Sequence, residues 1–170
     1  MLKALEYKKR KPVKVEFDIY TPINIEFGTW NISKEPTIYW RTGDFKKSLI
    51  EIGIGKRTGD IRSITLILSE NVFKVENDHF DSKNLPVIKG IPVFKIDQFI
   101  NKNYTDEEDK LNIYIGEDKI YMLFSENEMV SLVQNDNVEF GIDSNDKVCS
   151  IIISNVGENE KKTVEEALKS

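Results

Sequence analysis

The sequence predicts a mostly β protein, either an antiparallel β-sandwich or a partly open barrel, with a short C-terminal helix. Apolar and polar residues alternate with a period of two along much of the chain. Ile, Val and Phe are frequent among the apolar residues, and these side chains suit a half-buried pleated surface. A hairpin pattern also occurs twice, at 49–68 and at 138–154, which predicts two similar halves.

Alternation places the predicted strands in order along the chain. Residues 13–19 begin the series, and Pro22 separates them from a second alternating run, since proline is tolerated at a strand start. Helix is scarce: one or two turns are predicted within 97–103, and a C-terminal helix over 160–169. The further predicted strands are 23–27, 38–40, 50–54, 64–68, 72–75, 87–89, 93–96, 111–115 and 120–124.

The two hairpins share more than their apolar positions. Residues 50–54 (IEIGI) align with 138–142 (VEFGI), and residues 61–64 (IRSI) align with 148–151 (VCSI). Glycine inside a strand usually marks a bulge or a close approach of two backbones. The shared Glu, Gly and Ser therefore indicate a structural repeat. Because Ile61 and Ile64 are out of phase, we expect a bulge near Arg62 and Ser63.

Length and composition indicate one domain spanning residues 1–170. A chain of this size buries roughly 70% of the surface that it exposes when unfolded, so it needs no disulfide or metal for stability. No stretch approaches the roughly 20 apolar residues of a membrane-spanning helix. The N-terminal charges are not followed by the apolar segment of a secretory signal. We expect a cytoplasmic protein.

Charge is distributed unevenly along the chain. The net charge is −5, but residues 97–170 contain 17 acidic and 7 basic side chains. An acidic surface either keeps a protein soluble or steers a basic partner towards it. Nucleic acid is disfavoured as a partner because phosphate binding needs clustered Lys and Arg, and the main basic cluster, 8–11, lacks interleaved aromatic residues.

No residue pattern predicts a catalytic site, a metal site or a cofactor. His79 is the single histidine and lies in a polar turn, and Cys149 lies in a strand as expected of a core residue. Residues 143–146 (DSND) begin like a calcium loop but lack its later Gly and Glu, so we interpret them as a hairpin turn. We expect no enzymatic activity.

Two alternatives remain open at this point. Glu51 and Glu139 hold equivalent repeat positions and would form a carboxylate pair, as in glycoside hydrolases, if they faced each other. Aromatic side chains would provide a platform for sugar binding if they lay together on one surface, although packing within the sheets is their commoner role. The aromatic candidates are Trp30, Trp40, Tyr39, Tyr114 and Tyr121.

The recurring phrase Glu-x-Gly-Ile, turn, Ser-Ile, at 51–64 and 139–151, and the segment 120–155 carry a family resemblance. They resemble immunity proteins of bacterial polymorphic-toxin and contact-dependent growth-inhibition systems, especially those of Gram-positive bacteria. The similarity covers 38–68 and 111–156, about half the chain. The resemblance implies a cytoplasmic, non-enzymatic protein that binds one toxin domain, commonly a basic nuclease. It offers no shared active-site residues.

We therefore expect an immunity protein that blocks a basic toxin domain by occlusion. The alternative functions are a small-ligand or carbohydrate-binding β module, the glutamate-pair enzyme and a structural or assembly protein. For the first function, acidic side chains from the second half of the chain form the expected partner-binding face, with one tyrosine as an aromatic anchor. The predicted partner-binding residues are Tyr104, Asp106, Glu107, Glu108, Asp109, Glu117, Asp118, Glu126 and Glu128.

Overall fold

A computed structural model describes residues 1–28, 35–76, 84–99 and 101–169. Over these residues the structure is mostly β and sandwich-like, with several sheets that do not close into a barrel and one C-terminal helix. The predicted fold class is confirmed. The elements are β1 (Ala4–Lys8), β2 (Val13–Phe17), β3 (Ile23–Phe27), β4 (Thr37–Gly43), β5 (Leu49–Gly55), β6 (Ile61–Leu68), β7 (Val72–Lys74), β8 (Val87–Lys89), β9 (Ile91–Phe94), a 3-10 turn (Asp97–Phe99), β10 (Tyr104–Glu108), β11 (Asn112–Ile115), β12 (Ile120–Leu123), β13 (Ser131–Asn135), β14 (Val138–Ile142), β15 (Val148–Ile153) and α1 (Glu158–Ala167).

The described strands form two large sheets and one ribbon. The six-stranded sheet has the order β10-β4-β5-β6-β3-β2, and the seven-stranded sheet has the order β7-β11-β12-β15-β14-β13-β8. Strands β1 and β9 form the separate antiparallel ribbon. Three edge strands pair in parallel: β10 with β4, β7 with β11 and β8 with β13. The other pairings are antiparallel, and short connections join the consecutive strands among them, such as β5 and β6.

The two large sheets repeat one topology. Strands β2 to β6 correspond in order and pairing to β11 to β15, and the parallel edge strand β10 corresponds to β8. In each half, a hairpin of two strands is followed by three antiparallel strands. The last of these three pairs with the second strand of the hairpin: β6 pairs with β3, and β15 pairs with β12. Both hairpins of the sequence repeat therefore occupy equivalent positions, within a duplication of five strands.

The β1–β9 ribbon contacts the central hairpin turns of both sheets. Ala4 pairs with Phe94. The Ala4 N–H donates to the Asp146 carbonyl at 2.8 Å, and the Phe94 N–H donates to the Gly59 carbonyl at 2.8 Å. Asp146 and Gly59 both have left-handed backbones, with φ of 61° and 77°. Each ribbon strand thus holds the hairpin turn of one sheet in the same way.

Apolar side chains on the two inner faces form a shared core. The rings of Phe27 and Phe140 lie 5.9 Å apart, and those of Trp40 and Phe124 lie 5.6 Å apart, so each contact joins the two sheets. Phe27 and Phe124 are equivalent residues at the ends of β3 and β12. An aromatic pair contributes about 0.5–1.5 kcal/mol beyond the area that it buries.

A β-bulge interrupts each central hairpin at the same place. The register shifts between Gly53 and Ile54, which leaves Arg62 unpaired in the β5–β6 ladder. It shifts between Gly141 and Ile142, which leaves Cys149 unpaired in the β14–β15 ladder. The first bulge lies where the sequence predicts it.

The glycine at each bulge is required by a serine on the facing strand. A Cβ atom on Gly53 would lie 2.4 Å from Ser63 Oγ, and one on Gly141 would lie 2.1 Å from Ser150 Oγ. Both distances are well inside van der Waals contact. The coincidence of Gly and Ser in the two hairpins therefore has a steric cause.

The C-terminal helix begins two residues earlier than predicted. Gly157 caps it in an extended conformation, and the Glu160 carboxylate accepts a hydrogen bond from the Gly157 N–H at 2.9 Å. Val164 is fully buried in the shared core. The helix is fastened to the seven-stranded sheet by Lys161 Nζ, which donates to the Glu117 carbonyl at 2.6 Å.

Three strands were not predicted from the sequence. Strand β10 falls in a run of charged residues, which are common on exposed edge strands. It is a strand because its backbone pairs with that of β4. Strand β1 has exposed Leu5 and Glu6 beside buried Ala4. Strand β13 has two adjacent buried residues, Leu132 and Val133, because both of its faces are covered. None of the three shows a clean period of two.

We predict that the steric coupling at the bulge is measurable by a double-mutant cycle. Gly53→Ala should destabilise the protein by about 1–3 kcal/mol, as overpacking of a full interior does. In a Ser63→Ala background the hydroxyl is absent, so the same change should cost less. Urea denaturation of the four proteins gives the coupling free energy. Strictly additive costs would show that the serine does not set the requirement for glycine.

Candidate binding site on the outer face of the seven-stranded sheet

The outer faces of the two sheets differ, although their topology is shared. In the six-stranded sheet, four outward positions of β2, β3 and β6 are polar and at least partly exposed. The four equivalent positions of β11, β12 and β15 are apolar, and two of these residues, Tyr121 and Ile152, are 3% and 1% exposed. From the pairing registers, the equivalent pairs are Glu16 and Tyr114, Asn24 and Tyr121, Glu26 and Leu123, and Thr65 and Ile152.

Two segments shield this apolar outer face. One is the β12–β13 connection, from which Met129 packs against Tyr121, Leu132 and Ile152. The other is the connection between β7 and β8, from which Leu85 packs on the same cluster. Both segments belong to the second half of the chain or to the link between halves, so the six-stranded sheet has no equivalent cover among the described residues.

The β7–β8 connection links opposite edges of the seven-stranded sheet. Those edges are six interstrand spacings apart, about 29 Å at the usual 4.8 Å spacing. The 12 residues between Lys74 and Val87 span at most about 40 Å when extended, so the connection is long enough to reach across. The structure describes 75–76 and 84–86 of it.

A pocket of about 590 Å³ opens on this outer face. Its volume lies in the range of about 300–1,000 Å³ that is usual for ligand-binding sites. Apolar and polar residues line its walls and floor, and charged residues stand at its rim. The described lining residues are Leu85, Asp109, Lys110, Asn112, Tyr114, Leu123, Ser125, Glu126, Asn127, Glu128, Met129, Cys149 and Ser150.

The floor of the pocket is formed at the second bulge. Ser150 is 1% exposed, and its hydroxyl donates to Met129 Sδ at 2.9 Å, a weak acceptor. A Cβ atom on Gly141 would lie 2.4 Å from that sulfur, so the glycine lets Met129 lie against the sheet. The unpaired bulge residue, Cys149, lines the pocket beside Ser150.

The rim of the pocket is held by a turn that joins two loops. The Asn127 N–H donates to Ser125 Oγ at 3.1 Å, and Asn127 Nδ2 donates to Asp143 Oδ2 at 2.9 Å. Asp143 also accepts the Asn145 and Lys147 N–H groups in the β14–β15 turn, at 2.8 and 3.0 Å. This network fixes the segment that carries Glu126 and Glu128.

The same hydrogen bonds determine the charge state of Asp143. Burial by itself would raise the pKa of this carboxyl, but the hydrogen bonds from Asn127, Lys147 and Asn145 outweigh burial and lower the pKa below its usual value. A carboxylate therefore persists at the turn to moderately acidic pH. Residues 143–146 form the hairpin turn that the sequence predicts, with Asp146 in a left-handed conformation.

The nine predicted partner-binding residues fall into three separate groups. Asp109, Glu126 and Glu128 stand together around the pocket. A second group, Tyr104 and Asp106 to Glu108, lies on β10 at the edge of the other sheet. The third group, Glu117 and Asp118, lies in the β11–β12 turn, where their carbonyls accept hydrogen bonds from Lys161 and Val156.

The β10 group is occupied by contacts within the sheet. Arg41 Nε and Nη2 donate to the Asp106 carboxylate at 2.7 and 3.0 Å. The Arg41 guanidinium also lies 4.9 Å from the centre of the Tyr104 ring, which stacks on Tyr39. The Glu107 carboxylate contacts the Met1 amino group. Asp106 and Glu107 thus have intramolecular partners.

The carboxylate pair that the sequence offered as an alternative is not assembled, whereas two of the aromatic candidates, Tyr114 and Tyr121, pair opposite each other on the outer face of the seven-stranded sheet. Glu51 lies between inward-facing Ile50 and Ile52, and Glu139 between inward-facing Val138 and Phe140, so the carboxylates point away from each other on different sheets. Among the aromatic candidates, Trp40 is in the core, whereas Tyr39, Tyr114 and Tyr121 are on outer faces. Trp30 and His79 lie outside the described residues.

Within the described ranges, no cluster of three or more His, Cys, Asp or Glu side chains is arranged to hold a metal ion. Nor does any helix in that part of the chain have the length and apolar character to cross a membrane. No protein-family model matches the chain, and no curated protein matches it significantly.

Sequence reasoning missed the apolar part of the pocket. Leu85, Leu123, Met129 and Ser150 were not among the predicted site residues. A signal exists for Leu123 and for the covered face on which it lies: 120–124 (IYMLF) and 151–153 (III) are continuous apolar runs, and such runs indicate strands that are covered on both faces.

We predict that Cys149 is unreactive in the folded protein despite lining the pocket. The thiol is 1% exposed, and burial raises its pKa to about 11. At pH 8 its thiolate fraction should be roughly 200-fold lower than that of a free cysteine, whose pKa is about 8.5. Ellman's reagent should therefore react slowly with the native protein and rapidly in 8 M urea, with Cys149→Ser as the blank. Equal rates in the two states would contradict this assignment.

Proposed function

We propose that this protein is a non-catalytic binding protein that blocks a basic toxin domain, as immunity proteins do in the cytoplasm of the producing cell. One observation carries the proposal: three carboxylates expected from the sequence to bind a partner, Asp109, Glu126 and Glu128, stand around one pocket that is partly apolar. The proposed docking face is the outer face of the seven-stranded sheet around this pocket.

The composition of this face supports protein binding. Protein interfaces combine a fully buried apolar centre with a polar rim, and a few anchors near the centre supply most of the affinity. Here Tyr114, Leu123 and Met129 form the centre, and the carboxylates form the rim. The positions equivalent to Tyr114, Tyr121, Leu123 and Ile152 in the six-stranded sheet are polar.

Charge supports a basic partner. Rim charges contribute mainly to the rate of association, because they steer an oppositely charged protein towards the site. The excess of acidic side chains in residues 97–170 extends this attraction beyond the rim itself. A toxin that acts on nucleic acid has a basic cleft for its substrate, and a protein seated there excludes that substrate without any chemical step.

The pocket also favours a second function, a small-ligand binding module. Its volume and its mixture of apolar walls with a few polar groups are usual for ligand sites. The two functions differ in what occupies the pocket: part of a protein in the first, and a free small molecule in the second.

The test of the proposed function is protection of growing cells. We expect the adjacent upstream gene to encode a large secreted protein whose C-terminal domain is toxic when expressed inside the cell. Co-expression of the present protein should restore growth, and the two purified proteins should form a complex by size-exclusion chromatography. Absence of both protection and complex would overturn the proposal.

A charge-reversal pair then tests the docking face. Asp109→Lys/Glu126→Lys/Glu128→Lys should slow association about tenfold or more at low salt, within the range attributed to electrostatic steering. The matched control, Glu6→Lys/Glu117→Lys/Glu166→Lys, changes the net charge equally at exposed positions that do not line the pocket and should have a smaller effect. Stopped-flow association at several salt concentrations measures both. Equal slowing by the two variants would mean that the docking face lies elsewhere.

A further inference from the structure

We infer that the pocket receives a short segment of the partner that carries a lysine or arginine between apolar residues. This inference rests on the proposed function and names the chemistry that the same site recognises. The stem of the basic side chain and its neighbours lie against the apolar walls, and the cationic group lies among the rim carboxylates.

The walls suit the aliphatic parts of such a segment. Leu85, Leu123 and Met129 present flexible apolar groups, and Met in particular adapts its shape to what it contacts. Tyr114 adds an aromatic ring that stacks on Phe73 with the ring centres 5.2 Å apart, and such a ring attracts a cation placed within about 6 Å of its centre. Basic side chains bury their methylene groups against apolar surface while their charged ends stay near water.

The rim carboxylates lack intramolecular compensation. Within the described part of the chain, Glu126 and Glu128 form neither an ion pair nor a side-chain hydrogen bond, and the Asp109 carboxylate accepts only the N–H of Lys110, at 2.8 Å. Three carboxylates and one ammonium group leave the rim with a net charge of about −2. An anionic ligand is therefore repelled, and a cation is attracted.

Two acidic side chains elsewhere in the protein illustrate carboxylates that are paired. Asp106 is bound by Arg41, and Asp60 is bound by Lys8 and Lys11. Those carboxylates stabilise contacts between strands and loops. The carboxylates at the pocket hold no such contact, and they surround apolar groups that a partner would cover.

The floor of the pocket supplies a hydroxyl group as a hydrogen-bond partner for the backbone of the bound segment or for a donor group at its end. The Ser150 hydroxyl is 1% exposed and its partner is the Met129 thioether, which is a weak acceptor. When Met129 adjusts to a bound segment, this hydroxyl exchanges a weak hydrogen bond for a stronger one with a carbonyl. The volume of about 590 Å³ is enough for more than a single side chain.

The experiment uses a pair of blocked tripeptides and the intact protein. The first probe is acetyl-Leu-Lys-Leu-amide, and its control is the same peptide with an Nε-acetylated lysine, which keeps the size and removes the charge. Titrations followed by ¹⁵N–¹H NMR give the affinity and the place of binding. We expect the charged peptide to bind at least tenfold more tightly, with the largest shifts at Leu123, Met129 and Ser150.

A matched pair of variants assigns the charge preference to the rim. Glu126→Gln/Glu128→Gln should remove most of that tenfold preference, whereas Glu117→Gln/Glu166→Gln, at exposed positions that do not line the pocket, should leave it unchanged. Equal binding of both peptides, or shifts confined to another surface, would overturn the inference. Hexylammonium binding as tightly as the charged peptide would also overturn it, because the pocket would then be a site for small amines.

Failure of this inference is distinguishable from failure of the proposed function. Peptide binding requires no toxin, and protection of cells requires no peptide. If the Glu126→Gln/Glu128→Gln variant still protects cells and the protein shows no preference for the charged peptide, the immunity function stands but does not use the pocket. A charged-peptide preference without protection would leave the pocket assignment standing and remove the immunity function.

Discussion

The pairing register of the two central hairpins determines which side chains face the core and which face outward. In each hairpin a glycine lies opposite a serine at a bulge: Gly53 opposite Ser63, and Gly141 opposite Ser150. The serine hydroxyl fills the space where a Cβ would stand, so the close approach of the strands depends on glycine. A register slip of one residue would turn every following side chain to the other face. The shared core and the outer pocket both depend on this contact.

Duplication explains the core but not the surface. The inner faces of both sheets are apolar, and equivalent residues Phe27 and Phe124 each contact a ring of the opposite sheet. The outer faces have diverged, and the buried Tyr121 and Ile152 replace residues equivalent to Asn24 and Thr65. Burying a large apolar side chain contributes about 1.5–3 kcal/mol, so the packing of Leu85 and Met129 on this face stabilises their positions.

The bulge residues show how the same backbone serves different purposes in the two halves. Arg62 is 5% exposed, and its guanidinium binds Glu35 and Thr37, so the first bulge fastens the β5–β6 turn to β4. Its counterpart, Cys149, is neutral and lies at the floor of the pocket. A buried charged side chain such as Arg62 needs a partner, and a neutral residue such as Cys149 does not. Because Cys149 is also the smaller residue, the second bulge leaves more space on the outer face of its sheet.

The sequence by itself determined the β fold, the repeated hairpin, the first bulge and the acidic character of the second half. Alternation with a period of two and the shared Glu, Gly and Ser are local signals, and they need no knowledge of distant contacts. Strand β10, in contrast, arises from parallel pairing with β4, a partner more than 60 residues away. Only the tertiary structure divided the nine acidic and aromatic candidates into three groups and placed Asp109, Glu126 and Glu128 beside Leu85 and Met129. The physical reason is that a pocket is formed by segments distant in sequence, whose meeting depends on sheet order and connection length and not on their own composition.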